Sequence, residues 1–90
     1  MEWKQYRSID HWFATGENGD GYDVVLIGSY NGWVIRYHTN RPRSIGKFIS
    51  KNLKARETNT IQRNSDGLLF STKEEAMAVA EKHYRLLLLQ

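Results

Sequence analysis

The stretch YDVVLIGSYNGWVIRYHT, residues 22–39, constrains this chain more than any other part of it. Two runs rich in Val, Ile and Tyr flank Asn31-Gly32, and Asn-Gly supplies the two positive φ values of a type I′ turn. A two-residue hairpin follows, with Tyr30 opposite Trp33. That register pairs Gly28 with Ile35, Leu26 with Tyr37 and Val24 with Thr39 on one face. The other face carries Ser29 with Val34, Ile27 with Arg36 and Val25 with His38. The first face is the more apolar, so it is the one expected to pack on a helix, with Trp33 at the turn partly exposed.

The covering helix is legible at the C-terminus. Ser71 or Thr72 caps it, and Thr72-Lys-Glu-Glu75 has the form of a capping box. Ala76, Val79, Ala80, His83, Tyr84 and Leu87 then recur at helical spacing, with Glu74, Glu81, Lys82 and Arg85 mostly on the other side. HWFAT at 11–15, joined through the turn-rich GENGDG, reads as a third strand, with a short helix from Ser8 as the competing reading. GLLF is a short strand leading into the helix, and ETNTIQRNSDG is a polar loop or ragged edge strand. Between Ser44 and Arg56 the apolar residues Ile45, Phe48, Ile49 and Leu53 alternate with Lys47, Lys51 and Lys54 at helical intervals. That segment reads as a second short basic helix, or as a basic loop if Gly46 breaks it. The expected fold is therefore α+β, a three- or four-stranded antiparallel sheet packed against a C-terminal helix, in one domain spanning residues 1–90.

Composition removes several function classes. The 90 residues include no Cys, which excludes a disulfide framework and any thiolate metal site. Apolar runs such as Leu86–Leu89 fall far short of the roughly 18 residues of a membrane-spanning helix, and no signal-peptide pattern opens the chain, so no membrane partner and a cytoplasmic location are expected. Catalysis has little support. His11, His38 and His83 are the candidate acid–base groups, but Asp10 and His11, adjacent on a strand, point to opposite faces. Glu17, Asp20 and Asp23 lack the closing Glu of a calcium loop, and His83 belongs to the core edge. No nucleophile elbow, phosphate loop or metal-spaced histidine pair occurs, so no enzyme, cofactor or metal site is expected. The string FSTKEEAMAVAEKH is a strand end plus a capping box and identifies no family.

Charge points to a partner. Residues 24–56 hold Arg36, Arg41, Arg43, Lys47, Lys51, Lys54 and Arg56 without a single acid, between mildly acidic flanks, in a chain of net charge +3. Such a block favours an anionic partner. The first expectation is a non-catalytic domain contacting nucleic acid, in which Lys47, Lys51 and Lys54 position the phosphate backbone while Arg41 and Arg43 reach into a groove. The alternative is an adaptor or inhibitor docking on an acidic protein surface. Trp33 and Tyr30 are the candidates for base stacking, although the hairpin register favours a core role for the aromatics. Finally, four consecutive leucines cannot all face one core, so Leu86, Leu88 and Leu89 are candidate association residues for a homodimer.

Overall fold

A computed structural model describes residues 1–40, 46–57 and 67–90. Six strands, β1 (Lys4–Tyr6), β2 (Ser8–Thr15), β3 (Gly21–Ile27), β4 (Gly32–His38), β5 (Lys47–Ile49) and β6 (Ala55–Arg56), lie in sequence order in one antiparallel sheet. Among the described residues a single helix, α1 (Lys73–Leu88), packs across β3 and β4. The α+β class with its C-terminal helix thus stands, whereas the strand count and the second helix are corrected. Among the described residues six strands replace three or four, and the described part of the 44–56 segment is the β5–β6 hairpin.

The reason lies in residues 46–56. Phe48 and Ile49 point to opposite faces of a strand, so their apparent helical spacing is a period-2 pattern read on too short a window. Ser50 exchanges backbone hydrogen bonds across the turn, donating to the Lys54 carbonyl at 3.0 Å, and its hydroxyl accepts the Lys54 N–H at 3.1 Å. Leu53 takes a positive φ of 69°. Each of these stabilises a turn where a helix needs i to i−4 bonding. β1, the sequence KQY, escapes sequence reading because all three of its residues are exposed and carry no alternation.

The β3–β4 hairpin forms with a different turn. Gly28–Tyr30 make a 3₁₀ turn, and Asn31 closes it in the left-handed region with φ of 50°. Gly32 is already in β4, buried, with the Leu69 side chain 3.1 Å from where a Cβ would stand. Gly32 is thus needed for close packing and not for the turn. Pairing becomes Leu26 with Trp33, Val24 with Ile35 and Tyr22 with Tyr37. Val24 has moved four positions along β4 from its expected partner Thr39, an even shift that leaves the paired residues on their expected faces, whereas Gly28, Ser29 and Tyr30 leave the ladder for the turn. β2 spans Ser8–Thr15, which settles the strand over the helix from Ser8. GLLF contributes one bridge, Phe70 exchanging backbone bonds with Trp33 at 2.7 and 2.8 Å.

The core fills the space between sheet and helix with Tyr22, Val24, Ile35, Ile49, Phe70, Ala76, Ala80 and Tyr84, and Trp33 and Tyr37 pack partly buried against it. Ala76 and Ala80 are fully buried, small enough to bring the helix backbone close to the sheet. Thr72 caps the helix, its hydroxyl accepting the Glu75 N–H at 3.1 Å. Every core tyrosine hydroxyl is satisfied. Tyr22 pairs with His83 Nδ1 at 2.6 Å, Tyr37 donates to Asp20 at 2.8 Å, and Tyr84 accepts from the Glu17 N–H at 2.8 Å. Burial holds the His83 imidazole below its ordinary 6.5. Burial, and secondarily the hydrogen bond to Asp20, pushes Tyr37 up to about 12. Burial also raises Tyr22.

Candidate functional site

The sheet face turned away from α1 carries a different chemistry. Register alone places one residue from each strand in a single row across all six: Lys4, Phe13, Asp23, Arg36, Phe48, Arg56. Cross-strand neighbours on one face stand within side-chain reach, so the row sets two half-buried phenylalanines among three cations, with the Asp23 carboxylate between Phe13 and Arg36. Beside it lie His11 opposite Val25 and His38 opposite Gly21. Val34 on this face is buried, so the face is closed at that end and open around Asp23.

Asp23 is the fixed point. Diagonal to histidines on both neighbouring strands, it meets His11 Nε2 through one carboxylate oxygen at 3.2 Å and His38 Nε2 through the other at 3.1 Å. A carboxylate only accepts, so both Nε2 atoms donate. Gly21 makes the second contact available, since a Cβ there would stand 2.6 Å from His38 Cε1. Among the described residues no group of three or more His, Cys, Asp or Glu is arranged to hold a metal. The two imidazoles hold the Asp23 carboxylate from both sides.

Aromatic rings close around it. Between β1 and β2 the chain reverses through Arg7 at a positive φ of 61°, next to a bulge at Gln5 and Tyr6. The reversal stands Tyr6 edge-on to His11 at 5.0 Å and to Phe13 at 5.9 Å between ring centroids, with the Arg7 guanidinium 5.3 Å from the Tyr6 ring. Tyr6, His11, Phe13 and Asp23 line a shallow pocket of about 350 Å³.

The residues singled out from sequence are dispersed. Arg36 and Arg56 lie in the row on the open face, both exposed. Lys47 lies opposite Tyr37, on the helix side, with Nζ 3.7 Å from Glu57. Lys51 and Lys54 are exposed in the β5–β6 turn, and the Lys51 ammonium stands 5.8 Å from the Phe70 ring. Arg41 and Arg43 lie outside the described residues. Trp33 is on the helix face, partly buried against the core, and Tyr30 lies in the 3₁₀ turn. Leu86, Leu88 and Leu89 are 43, 53 and 81% exposed.

Sequence reading missed Tyr6, His11, Phe13, Asp23, His38 and Phe48 as one surface. His11 and Phe13 alternate with Trp12 and Ala14 and so share a face, but nothing local links them to Asp23 or Phe48. No helix among the described residues is long and apolar enough to cross a membrane. No family model, curated protein or solved structure matches the chain, so the geometry of this face is the ground for a functional reading.

Proposed function

We propose that this chain is a non-catalytic binding domain that engages single-stranded nucleic acid on the sheet face opposite α1. The observation that carries the reading is the cross-strand row Lys4, Phe13, Asp23, Arg36, Phe48, Arg56, in which two rings and three cations share one face around a single carboxylate. Rings accept unstacked bases, and cations between them neutralise the phosphates that join those bases. Phe13 and Phe48 are three strand spacings apart, about 14 Å at ~4.8 Å per spacing, enough for bases that are not adjacent in the strand. Lys51 and Lys54 extend the basic edge at the β5–β6 turn. An acidic protein surface, the second reading, would engage the cations and leave the two rings idle.

The test is fluorescence anisotropy with short single-stranded and duplex RNA and DNA across a salt series. Single strands bind more tightly than duplexes, and log affinity falls with log salt by about 0.7 per phosphate neutralised. Phe13→Ala and Phe48→Ala each weaken binding by about ten-fold, the loss of one base stack. Equal affinity for wild type and both alanine variants, with the salt dependence retained, gives the acidic-surface reading its support.

A further inference from the structure

Resting on that reading, we propose that the pocket of Tyr6, His11, Phe13 and Asp23 is a guanine-selective base site. At about 350 Å³ it lies within the roughly 300–1,000 Å³ of small-molecule sites, with room for one base and part of its sugar. Its walls are rings and its one charged group is a carboxylate already held in place. An ionised carboxylate offers about four acceptor positions over its two oxygens. Among the described residues His11 takes one on the first oxygen and His38 one on the second, so each oxygen keeps further acceptor capacity. Two parallel acceptors demand two adjacent donors. Among the four RNA bases only guanine presents them on its Watson–Crick edge, N1–H beside the N2 amino group. Adenine and cytosine each place a ring acceptor beside the amino group, and uracil flanks its single N–H with carbonyls, so each sets an oxygen or nitrogen lone pair against Asp23.

The surrounding charge selects a base over a cationic side chain, the other ligand an aromatic-and-carboxylate pocket accommodates. Arg7 already stands over Tyr6, Arg36 lies directly opposite Asp23, and Lys4 lies opposite Phe13. One cation directly opposite the carboxylate and two beside the rings of the pocket disfavour an incoming ammonium or guanidinium and favour a neutral base joined to a phosphodiester. Because the two imidazoles fix the carboxylate before binding, little ordering is left for the ligand to impose.

The experiment measures affinity of the wild-type chain for short oligouridylates carrying one central guanine, inosine, adenine or cytosine, with GMP and AMP as competitors. The guanine oligomer is expected to bind about ten-fold or more tightly than the adenine and cytosine oligomers, with inosine, which lacks the N2 amino group, in between. Asp23→Asn removes that preference while affinity for plain oligouridylate persists. Displacement by GMP but not AMP assigns recognition to the base alone. A retained guanine preference without GMP displacement assigns it to the base within a strand, and both outcomes support the site. Equal affinity for all four oligomers overturns the guanine site and leaves the single-strand reading standing, whereas no binding of any oligomer at low salt overturns both. Asp23-dependent capture of an arginine or trimethyl-lysine peptide in preference to the guanine oligomer overturns the site in favour of a cationic ligand.

Discussion

The two faces of one sheet, built from the same strands, differ in what their polar groups do. On the helix side each tyrosine hydroxyl of the core has one partner and His83 is buried against Tyr22, while among the described residues no buried side-chain polar atom lacks a hydrogen bond. On the open side His11 and His38 both bond to Asp23, which lines the pocket and, among the described residues, has acceptor capacity left over. Saturation suits a face whose role is stability, because an unpaired polar group there carries the full desolvation penalty. Residual capacity beside aromatic walls suits a face whose partner is not part of the chain.

Removing one ring from each face has the largest expected effect. Phe70→Ala, in the fully buried set, is expected to destabilise by about 3–5 kcal/mol, and Phe13→Ala, half-buried on the open face, by much less, as urea unfolding would read. Equal losses would make the open face a packed interior. Next in size, Tyr22→Phe strands His83 Nδ1 in the core and should lose about 1–3 kcal/mol, without effect on oligonucleotide affinity.

Stability depends on pH through the buried His83. His83 titrates below its ordinary 6.5 when folded, so between that lowered value and 6.5 the unfolded chain binds more protons than the folded one. Stability therefore falls as pH drops through this window, and His83→Gln should flatten that acid limb. The tyrosines act at the other end. With Tyr22 raised and Tyr37 pushed to about 12, the unfolded chain loses these protons first. Stability should decline as pH rises above about 10, the unperturbed tyrosine value. A pH series of urea midpoints checks both limbs.

The smallest expected change in stability is at the helix end. Leu88→Ser with Leu89→Ser should alter stability by no more than about 0.5 kcal/mol per site, both residues being exposed. Sedimentation at micromolar concentration then reads association directly: a dimer mass is expected for wild type and a monomer mass for the double variant. A monomer mass for both would leave these leucines as an unpartnered surface.

Reading from sequence succeeded where the signal is local and failed where two patterns share one short window. The Thr72 cap and the Ala76–Tyr84 stripe sit in a 16-residue helix, long enough for a 3.6 period to be unmistakable. Lys47–Ile49 and Ala55–Arg56 are strands of three and two residues, too short for period 2 to be told from helical spacing. The basic block was visible as charge, but charge along a chain does not say which face of a sheet each residue joins. Lys47 and Arg36, both in that block, ended on opposite faces.

By itself the sequence determined which residues of the central hairpin face the helix, and that assignment survived a four-position change of register, because alternation is a property of each strand alone and an even slip preserves it. Only the tertiary structure decided which residues meet across strands. Asp23 lies between His11 and His38 because Asn31 alone takes the left-handed turn position, Gly21 leaves room for the His38 ring, and β2 pairs with β3 through a separate loop. Those choices are fixed by hydrogen bonding and packing between segments distant in sequence, which no local periodicity encodes.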